Sequence, residues 1–164
     1  MIRYARYPSP LGEVIVIAND AGIWSVDFVD AKYARRIDPE WIEDPQSSPL
    51  RECIRQLAEY FAGKRRDFDL PLAPRGTPFQ ERVWNEIARV PYGKTISYGE
   101  LAKRAGAPGQ ARAAGAATGR NPVGVVIPCH RIVGADGSLT GYAGGLDRKQ
   151  RLLELEGVLQ RSLI

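Results

Sequence analysis

Ser97-Tyr98-Gly99-Glu100-Leu101-Ala102-Lys103-Arg104-Ala105-Gly106-Ala107-Pro108-Gly109-Gln110-Ala111-Arg112-Ala113-Ala114-Gly115-Ala116-Ala117-Thr118 is the stretch that decides the fold of the second half of this chain. Ser97 with Glu100 three residues on is a capping box, which opens a short helix running through Arg104. Ala105 to Gly109 holds two glycines and Pro108 and reads as a turn. Gln110 to Thr118 is alanine-rich with a single charge, Arg112. Two short helices around a glycine turn have the proportions of a helix-turn-helix, whose second helix enters a DNA groove. Helical hairpins are also ordinary packing units, and small residues suit tight packing as well as close approach to a nucleic-acid backbone. On this stretch alone both readings stand. Arg112 could meet phosphates, read a base or replace one in the stack.

Seven residues downstream, Val125-Val126-Ile127-Pro128-Cys129-His130-Arg131-Ile132-Val133 places a thiol beside an imidazole between two apolar runs. Cys129 is one of 2 cysteines and His130 is the only histidine of 164 residues. Buried thiols are usually inert packing, but a thiol beside a base can be kept as thiolate and made nucleophilic. Pro128 has no amide donor and a fixed φ, so it breaks the run where the thiol must be presented. Gly134 to Gly137 reads as a hairpin turn, and Gly141-Tyr142-Ala143-Gly144-Gly145 as a loop whose backbone can approach a ligand closely. A last helix starts near Asp147 and packs through Leu152, Leu153 and Leu155. Glu156 falls at its final turn, where a carboxylate opposes the helix dipole and wants a reason; surface placement is the simple one.

Upstream, Thr77-Pro78-Phe79-Gln80 is another capping-box start, with Val83, Trp84, Ile87 and Ala88 on the buried face and Pro91 as the stop. Pro71 and Pro74 mark a linker. Before it, Glu13–Ala18 and Ile23–Val29 read as a strand pair around the turn residues Asn19 to Gly22. Residues 30–48 read as loop with a short strand or turn at Trp41, and 68–70 as a further strand. Between them Ser48 caps a helix with Leu50, Cys53, Ile54, Leu57 and Phe61 on one face and Gly63 at its end. Cys53, on that apolar stripe with no base beside it, reads as core packing.

Composition narrows the classes. At 44% hydrophobic the chain can bury one good core or two small ones. No long apolar run suggests a membrane span, and the start lacks the apolar segment of a signal peptide. Two cysteines argue against a disulfide scaffold and for a reducing compartment, the cytoplasm. One histidine and two distant cysteines supply no structural zinc set, which leaves only a mononuclear site with carboxylates. Residues 1–74 carry 10 Lys+Arg against 12 Asp+Glu, and residues 75–164 carry 13 against 7. The half with Cys129 is the basic half, which attracts a polyanion; ordinary solvated side chains fit the same balance.

Pro128-Cys129-His130-Arg131, Ile96-Ser97-Tyr98, the Ala111-Arg112-Ala113 helix, Asn121-Pro122 and the 141–145 loop, in this order, resemble the O6-alkylguanine-DNA alkyltransferase family. Ser9-Pro10-Leu11-Gly12 resembles its bacterial members. The likeness implies an α/β N-terminal domain over 1–74, ribonuclease H-like with antiparallel strands plus a helix. It also implies a mainly helical C-terminal domain over 75–164 containing the helix-turn-helix. The partner it implies is double-stranded DNA containing O6-alkylguanine, with O4-alkylthymine a second candidate substrate, for a monomer that needs no cofactor or metal.

By the same resemblance Cys129 takes the alkyl group irreversibly from a flipped nucleotide, once per molecule. His130, polarised by Glu156 and reaching the thiol through water, keeps it as thiolate. Tyr98 and the Ala143 amide donate to the leaving guanine, and the carbonyls of Cys129 and Ile132 accept from its exocyclic amine. Tyr142 and Gly144 complete the pocket, Arg131 pairs with carboxylates, and Lys149 lies near the loop. Asn121 is the hinge. Arg112 fills the space the base leaves, while Ala111, Ala113, Gly115, Thr95 and Ser97 line the DNA face, where a narrow groove excludes bulk. Ala143 departs from members with serine there, so a hydroxyl contact to the base is lost. Two rival classes remain: a sensor of alkylated DNA, which would lack Cys129, and a turnover cysteine hydrolase, which would need no DNA.

Overall fold

A computed structural model of the chain describes residues 1–160. They form two compact units, Met1–Arg75 with Pro122–Gly124 and, separately, Gly76–Asn121 with the chain from Val125 onward.

In the first unit β1 (Arg3–Ser9), β2 (Gly12–Asn19) and β3 (Gly22–Phe28) form an antiparallel meander. A short β4 (Ile42–Glu43) joins β1 in parallel, so the sheet is mixed, in the order β3-β2-β1-β4. The β4 strand falls where Trp41 suggested one. The β1 strand escapes the sequence reading because only Ala5 along it is buried, leaving no apolar alternation to see. Its hairpin to β2 is closed by Ser9, whose hydroxyl donates to the Gly12 carbonyl at 2.6 Å and accepts from the Leu11 amide. The run Val14–Ala18 is buried without interruption, as a central strand covered on both faces must be. Helix α1 (Ser48–Phe61) packs on the meander, while Ile15, Ile17, Ser25 and Asp27 face Val29, Ala34 and Arg35 of the following segment.

Three expectations in this unit change. The N-cap of α1 is Ser47, not Ser48, and it makes no side-chain capping bond. Gln56 and Tyr60 are buried on α1 while Ile54 and Phe61 are half-exposed. Residues 68–70 form no strand, because the Gln56 side chain takes both backbone groups of Asp69, at 2.8 and 2.9 Å, and stands in for a neighbouring strand. The chain reaches the sheet edge slightly later, where Leu72 bridges Ile23. That approach explains Gly22: a Cβ there would lie 2.4 Å from the Pro71 carbonyl oxygen. Residues 122–124 join this unit through Val123, which bridges Val26.

The second unit is mainly helical. Thr77 closes a complete capping box on α2 (Pro78–Ala88), burying Val83, Trp84 and Ile87; Ala88 is exposed, and Val90 is buried instead. After β5 (Ile96–Ser97), the Ser97 hydroxyl accepts the Glu100 amide at 3.0 Å and starts α3 (Tyr98–Arg104). Helix α4 (Ala111–Gly119) packs against α2 and α3 through Ala114 and Ala117, and the Trp84 indole donates to the Ala117 carbonyl at 2.8 Å. Part of the small-residue character of α4 therefore serves internal packing. Arg112 and Ala116 are exposed, so the remainder keeps a slim outer face. A 3-10 turn (Cys129–Arg131) leads into β6 (Ile132–Val133), which pairs in parallel with β5. Gly134–Gly137 does turn, but no hairpin forms around it among the described residues. Helix α5 (Leu146–Leu155) buries Lys149, Leu152 and Leu153, with Leu155 half-exposed.

Candidate active site

Pro128, at φ −82° and ψ 66°, ends the apolar run and starts the one-turn helix that carries Cys129, His130 and Arg131. All three are buried: Cys129 is 8% exposed and His130 fully enclosed. Because this helix is a single 3-10 turn, the three side chains fan out in different directions from adjacent positions.

His130 Nε2 lies 2.7 Å from Glu156 Oε2. Arg131 grips the same carboxylate with two bonds, Nε to Oε1 at 2.8 Å and Nη2 to Oε2 at 3.0 Å. Its remaining Nη1 donates to the Val90 carbonyl at 2.6 Å, and the Gly93 amide completes the carboxylate at 3.3 Å. The reason for a carboxylate at the end of α5 is therefore not surface exposure. Glu156 is buried as the shared acceptor of an imidazole and a guanidinium, a fork geometry that only Arg supplies.

This network fixes the imidazole chemistry. An ionised Glu156 accepts from Nε2–H, so the lone pair resides on Nδ1. Nδ1 is buried and has no hydrogen-bond partner among the described residues. Burial holds the His130 pKa below its ordinary value; Glu156 opposes this, and the positive charges of Arg131 and Lys149 reinforce it. Burial therefore favours the neutral ring, with its lone pair on Nδ1.

Tyr98, the first residue of α3, donates its hydroxyl to the Thr140 carbonyl at 3.0 Å. Burial raises its pKa, the Thr140 side chain opposes this, and the charge of Cys129 adds to it. Lys149 is fully buried and donates to Ile132 O at 2.6 Å, Thr140 O at 2.9 Å and Gly141 O at 3.2 Å. Sequence reading placed this lysine only near the loop. Nothing local marks it as a core residue, since lysines in a first helical turn are ordinarily solvated.

Ile132 is buried, so only its backbone is offered, and that carbonyl already holds Lys149. The Cys129 carbonyl accepts the Ile132 amide. Tyr142, Ala143 and Gly144 are half-exposed on a loop bounded by Gly141 (φ 51°) and Gly145 (φ 96°). Asn121 donates from Nδ2 to the Ile127 carbonyl at 2.8 Å, tying the end of α4 to the segment just before Cys129. Arg112 is exposed, Ala111 and Ala113 are half-exposed, and Thr95 and Ser97 flank Ile96 in β5. Gly115 is half-exposed as well, and a Cβ on it would lie 3.6 Å from the Tyr98 ring. Among the described residues no group of three or more His, Cys, Asp or Glu is arranged to hold a metal ion, and no helix is long and apolar enough to cross a membrane.

A mixed-sheet α/β unit and a mainly helical unit that carries a thiol beside a buried imidazole–carboxylate–guanidinium network define a two-unit protein with a cysteine-centred candidate site. The family models for the ribonuclease-like domain and the DNA binding domain of 6-O-methylguanine DNA methyltransferase match residues 2–74 and 78–158. The methylated-DNA–protein-cysteine methyltransferase of Methanosarcina acetivorans is 46% identical over 154 residues, covering 94% of this chain and 97% of the relative. That of Mycolicibacterium paratuberculosis is 46% identical over 159 residues, covering 95% and 93%. The crystal structure of the Mycobacterium tuberculosis protein in complex with DNA superposes with a TM-score of 0.86 at 43% identity, covering 94% of this chain and 92% of that one. The chain belongs to the methylated-DNA–protein-cysteine methyltransferase family.

Proposed function

We propose that Cys129 is the residue on which this DNA-repair methyltransferase accepts the alkyl group of O6-alkylguanine, irreversibly and once per molecule. The observation that carries the reading is the buried His130–Glu156 pair at 2.7 Å, adjacent to Cys129 and with Nδ1 unbonded among the described residues. A free cysteine with a pKa of about 8.5 is only a few per cent ionised at neutral pH, so a neighbouring base that takes the thiol proton raises the reactive fraction severalfold. His130 takes that proton at Nδ1 through water, and Glu156 steadies the imidazolium that results.

The thiolate sulfur then attacks the alkyl carbon. The S–C bond forms, the C–O6 bond breaks, and the electron pair passes to the guanine. Tyr98 and the Ala143 amide donate to the charge that develops there. The thioether has no hydrolytic step, which makes the reaction stoichiometric. Duplex DNA is the partner. The damaged nucleotide flips out at a cost of a few kcal/mol, and Arg112, on the exposed face of α4, fills its place in the stack. Asn121 acts as the hinge between that helix and the active segment. The monomer works in the cytoplasm, where both free thiols stay reduced.

The test is intact mass and peptide mapping after incubation with a duplex containing O6-methylguanine. One methyl group per molecule, on Cys129, is expected, and none on Cys129→Ser. Repeated turnover, or methylation of Cys53, whose thiol burial pushes up to about 12, would refute the assignment.

A further inference from the structure

Lys149 is the side chain the chemistry above leaves unexplained. It is 0% exposed, and it lies in the first turns of α5, where the helix dipole disfavours a cation. Among the described residues it forms no ion pair. An ammonium stripped of water is costly, and an apolar side chain of equal length would fill the same space with less penalty. A fold that keeps one is using its geometry. The ammonium has three donors, and three carbonyl oxygens lie within 3.2 Å of it. They come from β6, immediately after the Cys129 turn, and from the two residues that open the glycine-rich loop. The Tyr98 hydroxyl lies 3.5 Å away, and it donates to the same Thr140 carbonyl that Lys149 binds. The loop that begins there contains two glycines at positive φ and has little stiffness of its own.

We propose that Lys149 is a positioning residue: its ammonium ties β6, the Thr140–Gly141 backbone and Tyr98 into one fixed wall that aligns the alkylated base for attack by Cys129. This rests on the reading of Cys129 as acceptor. The titratable groups facing the lysine are Tyr98 on α3 and Cys129 and His130 on the 3-10 turn. Burial brings the Lys149 pKa down to about 8, against the opposing effect of Cys129. Loss of the proton leaves two donors for three carbonyls and turns a lone pair toward an oxygen. The wall is therefore held below that pKa and loosened above it.

The test compares wild type with Lys149→Met by four readouts: single-turnover methyl transfer from duplex DNA, alkylation of Cys129 by iodoacetamide, labelling of Cys53, and tryptophan fluorescence. Iodoacetamide senses the thiolate but needs no aligned base. Cys53 is enclosed in the first unit, so it reacts only if that unit opens, and the fluorescence of the buried Trp84 reports on the unit that holds Lys149. Transfer should fall on the order of 100-fold in the variant, the scale of a small misplacement at a reacting centre, while Cys129 alkylation changes less than about threefold and Cys53 stays silent. Wild-type transfer should also decline as pH rises through about 8, with no parallel decline in Cys129 alkylation, and the variant should lack that step. Transfer in the variant within about threefold of wild type overturns the proposal, since alignment errors cost far more. Equal losses of transfer and alkylation also overturn it, by assigning the lysine to the thiolate. If the variant opens, by Cys53 labelling or by a change in Trp84 fluorescence, the wild-type pH step decides alone, and its absence is refuting. A wild-type protein that never gains a methyl on Cys129 would instead remove the acceptor reading beneath it.

Discussion

Glu156→Gln is the substitution that separates the chemical from the architectural role of the buried network. The carboxylate accepts from His130, twice from Arg131 and once from the Gly93 amide. An isosteric amide keeps one acceptor oxygen but cancels the charge opposite Arg131, which is only 6% exposed. Removing one partner of a buried pair costs about 3–5 kcal/mol, and the lower end applies because Gln retains part of the hydrogen bonding. For a chain of this size that is a fall in Tm of roughly 6–12 °C. The amide NH2 can also donate to His130 Nε2, which moves the ring proton to Nδ1 and removes the basic lone pair facing away from Glu156. A positioned general base is worth about 10²–10⁴-fold, so methyl transfer should fall at least about 100-fold. The double variant Glu156→Gln, Arg131→Met removes the stranded guanidinium. By thermal denaturation it should regain part of the lost stability, while single-turnover transfer stays low. If the rate recovers in step with stability, or if Glu156→Gln alone repairs within about twofold of wild type, the carboxylate has no polarising role and the reasoning fails.

Two further outcomes follow from other parts of the molecule. Arg112→Ala removes an exposed side chain from α4, so repair of duplex substrate should fall by at least about tenfold while reaction with the free base O6-benzylguanine stays near wild type; equal losses would dissociate Arg112 from base flipping. Burial lifts the Asp27 carboxyl to about 7 against the opposing pull of Arg35. The folded state then holds a proton that the unfolded state has released, so wild-type stability should drop by roughly 3 kcal/mol between pH 4 and 7 on account of this group. Asp27→Asn should remove that part of the slope in urea titrations, and an unchanged slope would show that Asp27 is not the group responsible.

The legible features of the sequence are those whose cause lies within a few residues. Thr77 with Gln80 and Ser97 with Glu100 announce helix starts because a cap is satisfied by the next turn. Cys129 and His130 announce chemistry because their adjacency is covalent. The alanines of α4 narrow the helix whatever surrounds it, although only the packed structure shows that Ala114 and Ala117 turn inward and Arg112 outward.

What the sequence left open depends on groups that meet only after folding. The β1 strand carries little apolar signal of its own and exists because β2 lends it a partner. Residues 68–70 have the composition of a strand, yet a glutamine side chain takes the bonds a strand would have made. By itself the sequence determined the order of the helices, the division into a strand-rich half and a helical half, and the presence of one thiol–imidazole pair, because capping, periodicity and adjacency are local. Only the tertiary structure decided that Glu156, 25 residues from Arg131, is a buried acceptor rather than a surface charge, and that Lys149 points into the core. The physical reason is that a charge is buried only where distant partners replace its water, and those partners are assembled by the whole fold.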